Sequence, residues 1–176
     1  MKLPLCYYNN AVLRKMALPI EEISKEILQL AQDMIDTMVA ANGVGLAAPQ
    51  VGQLVRLFVI RDEVLAADGT VTLGSPEVFI NPTLSKPSLE KVPFLEGCLS
   101  IPALYMEVMR PKTIHIRYQN LKGEWVEETL DNFRARVAMH ENDHLNGVLI
   151  IDRIDRSERK KLEPRLAEID KKYRAI

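Results

Sequence analysis

Residues 113–147 read TIHIRYQNLKGEWVEETLDNFRARVAMHENDHLNG, and the change of rhythm within them decides the fold. TIHIRY (113–118) and WVEETL (125–130) are rich in β-branched and aromatic residues. They flank a polar segment containing Lys122-Gly123, the pattern of an antiparallel hairpin with a longer loop. From Asp131 the spacing turns helical: Phe133, Val137, His140 and His144 fall along one stripe. Asp131 is the expected N-cap and Asn146-Gly147 the expected end. Further strands are expected at VRLFVI (55–60) and VFI (78–80), with Asn81-Pro82, Lys86-Pro87 and Arg110-Pro111 as punctuation. Upstream, residues 24–41 repeat Ile27, Leu30, Ala31, Met34, Ile35 and Met38 at helical spacing, and Asn42-Gly43 stops them. Downstream, a charged helix is expected over 157–174, with Pro164 kinking or dividing it. Strands in the middle and helices at both ends predict an α+β fold with mostly antiparallel sheet.

The 176 residues suit one domain, 1–176, with a single proper core. Twenty-three basic residues against twenty-four acidic ones leave no overall field for holding nucleic acid or a membrane surface. No apolar run has the length of a membrane span, and no signal-peptide pattern opens the chain. Cys6 and Cys98 are too few and too far apart for a disulfide scaffold, which favours a reducing, cytoplasmic setting. Cys6 reads as a partly buried small apolar residue.

Chemistry enters with His140-Glu141-Asn142-Asp143-His144. Histidines at i and i+4 lie one above the other on a helix, so both imidazoles can reach one cation. Glu141, beside the first of them, can take a proton from water activated by that cation. The third ligand is not a downstream histidine, because the position where HExxHxxGxxH would put one holds Ile150. Asp152, Asp155 and Glu158 remain open as carboxylate ligands; Cys98, in EGCLS (96–100), is the better candidate. A thiolate and two imidazoles leave the fourth tetrahedral position free, as catalysis requires. Upstream, GVGLAAPQ (43–50) has small residues that let backbone approach a ligand, and Gln50 offers an amide N–H to an oxyanion. It lacks the lysine and the strand–loop–helix order of a phosphate loop. Phe133 and Val137 precede His140 near the same helix face, where they line an apolar pocket or simply pack in the core. His115 alternates with Ile114 and Ile116, faces solvent on this reading, and is given no role.

GVGLAAPQ, EGCLS and HENDH, in this order and spacing, closely resemble the peptide deformylase family, and the likeness runs from about Val12 to Asp152. That family removes the formyl group from the N-terminal methionine of new bacterial and organellar proteins. The resemblance implies sheets packed around a central metal-binding helix. It implies that Cys98, His140 and His144 hold one divalent metal, with Glu141 as acid/base and Gln50 and the Leu99 N–H as oxyanion donors. Backbone at Val44 and Gly45 would hold N-formylmethionyl peptides in an extended form. Ferrous iron is the native metal in the family, and zinc, nickel and cobalt also suit the donor set. By analogy, Glu96, Arg110 and Asp143 would orient the ligands. The chain departs from the family at Met139, where Gln is common, and at Asn142, where an apolar residue is; neither is a ligand. The last helix resembles the extension of one family class that docks on the ribosome; here a charged, solvated helix is the stronger expectation.

Overall fold

The computed structural model describes residues 1–174; residues 175 and 176 of the expected 1–176 domain lie outside the described residues. Helix α1 spans Lys25–Ala40, and the hydroxyl of Ser24 accepts the Ile27 N–H at 3.4 Å to cap its start. Its stripe of Ala31, Met34 and Met38 is buried. Strand β1 follows at Gly45–Ala47, and β2 at Leu57–Ile60 is shorter than the expected 55–60, with Val55 reduced to an isolated bridge to Leu18. Strands β3 (Glu63–Leu65) and β4 (Val71–Leu73) form a small exposed hairpin that was not anticipated.

Strand β5 spans Glu77–Ser85 and passes through Asn81-Pro82, where the sequence suggested a break. The ladder register shifts between Ile80 and Thr83, so Pro82 sits where the pairing skips. Asn81 adopts φ 51°, and its side chain brackets Ile20, accepting from its N–H and donating to its carbonyl, both at 2.7 Å.

Two long strands, β6 (Lys91–Cys98) and β7 (Ile101–Pro111), pair as a separate antiparallel ribbon that sequence patterning did not reveal. The reason is that both its faces expose apolar residues, Leu95, Tyr105 and Met109 on the outward one and Phe94 on the other, so no clean alternation marks it. Strands β8 (Thr113–Gln119) and β9 (Trp125–Asp131) form the expected hairpin and run directly into helix α2, Asn132–Leu145. Asp131 occupies the N-cap position without a side-chain cap bond. Helix α3, Arg156–Tyr173, runs through Pro164 as one helix, so of the expected kink or division the division does not occur. Leu166 and Asp170 bury one side of it, and tertiary packing overrides the lost backbone bond.

The main sheet is antiparallel throughout, in the order β1-β2-β5-β8-β9. It is covered on both faces beside β2, which explains the unbroken apolar run Leu57–Ile60. Leu57 and Val59 pack with Met34 and Met38 of α1, while Phe58 and Ile60 pack with Val137 and Ala138 of α2. A third cluster joins Ile101, Met106 and Val108 of β7 to Leu149, Ile150, Ile151 and Leu166. The result is the expected α+β architecture of antiparallel sheets around α2. Among the described residues, no helix is long and apolar enough to cross a membrane.

Candidate metal centre

Helix α2 is buried over most of its circumference, from Ala135 through Leu145 with only Asn142 less enclosed. On it His140 and His144 stack one turn apart, ring centroids 5.2 Å and planes at 64°. The end of β6 brings Cys98 against them: its Sγ lies 3.3 Å from His144 Nε2. Ligand atoms of Cys98, His140 and His144 all fall within 4.8 Å of one another. Metal–sulfur and metal–nitrogen bonds of about 2.3 and 2.0 Å in a tetrahedron put donors roughly 3.3–3.5 Å apart, so these residues fit one cation. Burial, followed by the neighbouring His140 and Arg110, holds His144 well below the usual histidine range, in the neutral form a ligand needs. Its Nδ1 is buried with no partner among the described residues. Asp152, by contrast, is bound to Arg14, Arg159 and the Leu149 N–H, and neither Asp155 nor Glu158 joins the cluster.

His140 is oriented from behind, donating Nδ1–H to Glu96 Oε1 at 3.0 Å, which turns Nε2 toward the cluster. Glu96 also accepts from Arg110 Nε at 2.7 Å and Nη2 at 3.0 Å, and from Arg136 Nη1 at 2.6 Å. Burial raises its pKa, but the His140 and Arg110 bonds outweigh this and hold it down at about 2. Arg110 continues to Asp143 at 2.9 Å, and Arg153 grips both oxygens of Asp143 at 2.6 and 3.0 Å. The structure thus joins Glu96, Arg110 and Asp143 in one chain, and adds Arg136 and Arg153, which sequence reasoning missed. Arg136 left a signal, one turn before His140 on the same stripe; Arg153 left none.

Gln50 is fixed at its oxygen, where Oε1 accepts the Ala47 N–H at 2.9 Å. Its Nε2 therefore points to Ser100 Oγ at 3.1 Å and to Cys98 Sγ at 3.6 Å. Ser100, fully buried and also missed, was visible as the last residue of EGCLS. Glu141 is buried beside the cluster, with Oε1 4.0 Å from His140 Nε2 and Oε2 without a partner among the described residues. Burial pushes its carboxyl up to about 7, a value the charge of a bound cation would lower.

A cavity of about 450 Å³ opens over these groups. Cys98, Leu99, Gln50, His140 and Glu141 line it, together with Gly45 of β1 and Val44 just before that strand. Phe133 and Val137 line it too, while also packing in the core, so both readings of these residues hold in part. His115 is apart from the site, half-buried, bridging to Glu127 and Thr129 across β8–β9 rather than facing free solvent.

A sequence model described as polypeptide deformylase matches residues 2–160. A Thermotoga neapolitana protein named peptide deformylase is 44% identical over 168 residues, 95% of this chain and 96% of its own. The crystal structure of peptide deformylase from Thermotoga maritima superposes with a TM-score of 0.79 at 41% identity, covering 88% of this chain and 99% of that one. A Met-Ala-Ser-bound peptide deformylase from Acinetobacter baumannii gives 0.80 at 34%, covering 88% and 99%. The chain belongs to the polypeptide deformylase family, and with it to the hydrolases.

Proposed function

We propose that the protein hydrolyses the formyl group from the N-terminal formyl-methionine of nascent polypeptides, releasing formate. The observation that carries this reading is one sulfur and two imidazole nitrogens meeting beneath a cavity that Glu141, Gln50 and Leu99 also line. A bound divalent cation supplies a lowered water pKa and a polarised carbonyl. Glu141 then accepts the proton of the attacking water and returns it to the departing amine, a role its unpartnered Oε2 supports. Gln50 Nε2 and the Leu99 N–H donate to the developing oxyanion. Strand β1 ends the sheet order, so its outer edge is open to an extended peptide, with Val44 and Gly45 supplying main-chain bonds. Phe133 and Val137 enclose the methionine side chain. Glu96, with Arg110 and Asp143 behind it, keeps His140 in the ligating tautomer.

The resemblance points to ferrous iron as native metal, and the donor set admits zinc, nickel or cobalt. Such an enzyme works in the cytoplasm beside the ribosome. On α3 the side chains of Lys160, Lys161, Arg165, Lys171 and Lys172 face outward, and this is the surface for any transient ribosome contact.

The test is anaerobic purification, a count of bound metal, and assay of formate release from a formyl-methionyl peptide with wild type and Glu141→Ala. Release by wild type and its loss in the variant is the expected result. Cleavage of unformylated peptides would instead mark a peptidase, and an inert wild type a metal-binding module without catalysis.

A further inference from the structure

The Arg136 side chain faces two ways. One guanidinium nitrogen, Nη1, donates to Glu96 Oε2 at 2.6 Å and to the Val108 carbonyl at 2.9 Å; the other, Nη2, donates to the Val92 carbonyl at 2.5 Å. Its other side forms part of the wall of the 450 Å³ cavity, beside Phe133 and Val137, and the Phe94 ring lies 5.5 Å from its guanidinium carbon. The same residue walls a second cavity of about 260 Å³, so it stands as a partition between the two. In the chain of charges behind the metal centre, only Glu96 and Arg136 also line the main cavity; Arg110, Asp143 and Arg153 lie behind them. Glu96 carries Arg136 on Oε2 and His140 on Oε1.

We propose that Arg136 is a positioning residue that couples occupancy of the side-chain cavity to the orientation of His140, through Glu96. The Arg136 side chain is only 9% exposed, and a substrate side chain that fills the cavity removes water from that remaining surface. The Arg136–Glu96 pair then lies in a lower dielectric, where its hydrogen bond is stronger and its geometry narrower. Glu96 is held by the same contact, and with it the imidazole whose Nδ1–H it accepts. A short side chain leaves water against Arg136, competing for its donors, and the Glu96 carboxylate keeps more freedom. Discrimination between long and short first residues therefore resides in kcat as well as in KM, because the side chain tightens a metal ligand besides filling space.

This rests on the deformylase reading above, and the experiment keeps the two apart. Formate release is measured for formyl-Met-Ala-Ser and formyl-Ala-Ala-Ser with wild type and with Arg136→Met, which keeps an unbranched flexible stem and loses every donor; Arg136→Lys replaces it should the first variant not fold. An inert wild type sinks the deformylase reading alone. With an active wild type, the Met-over-Ala ratio of kcat falls about tenfold in the variant while KM for the methionyl peptide moves less than about threefold. A parallel fall for both peptides, leaving the ratio intact, overturns the coupling and makes Arg136 merely structural. A second readout needs no turnover: the visible absorption of cobalt(II)-loaded protein on adding Met-Ala-Ser or Ala-Ala-Ser at saturation. The two peptides give different cobalt spectra in wild type and the same spectrum in Arg136→Met; identical spectra in wild type overturn the proposal.

Discussion

A methyl group at position 45 would stand 2.3 Å from Glu141 Oε1 and 2.8 Å from its carboxyl carbon, so β1 runs directly against the carboxylate. On the proposed mechanism, glycine here is a condition of the chemistry: the strand edge and the Glu141 carboxylate occupy adjoining space only if neither carries an extra atom. Gly45→Ala is expected to fold, since the obstacle is the end of one side chain, and to push Glu141 about 1 Å off its position. A displacement of that size costs on the order of 100-fold in rate. Formate release falling by about that factor, with a thermal melt close to wild type, is the outcome expected; kcat within threefold of wild type would show that Glu141 has another productive position. At this scale the sequence was most legible where chemistry demands rare residue types at fixed spacing. His140, His144 and Cys98 stood out because histidine and cysteine are scarce in the chain. Ser100 and Arg136 are common residues whose meaning lies only in what they touch, Gln50 and Glu96, and no periodicity encodes such a contact.

Elements were legible in proportion to how one-sided their burial is. Helix α1 and the β8–β9 hairpin each bury one face and alternate cleanly, so pattern found them. The β6–β7 ribbon exposes apolar residues along its outer face and includes Pro93 and Gly97, so its two long strands left almost no pattern, although β6 ends on Cys98. The exit of α2 is where local chemistry and tertiary contact reinforce each other. Gly147 has φ 72°, and a Cβ there would meet the Arg14 carbonyl oxygen at 2.6 Å. Left-handed strain of about 1 kcal/mol adds to a backbone clash that no side chain can relieve, so Gly147→Ala is expected to lose about 2–4 kcal/mol in denaturant unfolding. A loss under 0.5 kcal/mol would mean that the N-terminal segment is free to move away. The same junction is tied by Arg14 to Asp152 at 2.5 Å. Burial works against ionising Asp152, yet Arg14 and the Leu149 N–H bring its pKa below the ordinary 3.8. A lowered carboxyl contributes stability above its unfolded value and loses it as pH falls through the folded one. Asp152→Asn is therefore expected to melt about 2–4 °C below wild type at pH 7, where the partly exposed pair is worth about 1 kcal/mol after screening. The gap should close as pH drops below about 3.8, and a gap that persists at pH 2.5 would place the effect outside the ion pair.

For the molecule as a whole, the candidate metal centre lies where two apolar clusters meet, beside the bonds that Glu96, Arg110 and Arg136 already make between the β6–β7 ribbon and α2. Helix α2 is anchored in the main sheet through Val137, Ala138 and Leu145. Cys98 closes β6, in a ribbon whose β7 partner is anchored in a different cluster, with Leu149, Ile151 and Leu166. A cation shared by Cys98, His140 and His144 therefore links two apolar clusters, and its binding energy is added to the folded state alone, growing as RT ln(1 + [M]/Kd). At a metal concentration about 100 times Kd this is about 3 kcal/mol, or about 5–10 °C in Tm for a chain of this size. Chelation should lower the melting temperature of wild type by that amount, and hydrogen exchange should speed first at the Cys98 end of the ribbon, while β8 and β9 stay protected. His144→Ala removes one ligand and should melt at the same temperature with or without chelator. If wild type carrying one equivalent of metal melted unchanged after stripping, packing and the buried ion pairs of Glu96, Arg110 and Arg136 would suffice to join the two clusters, and the cation would act in chemistry without holding the fold together.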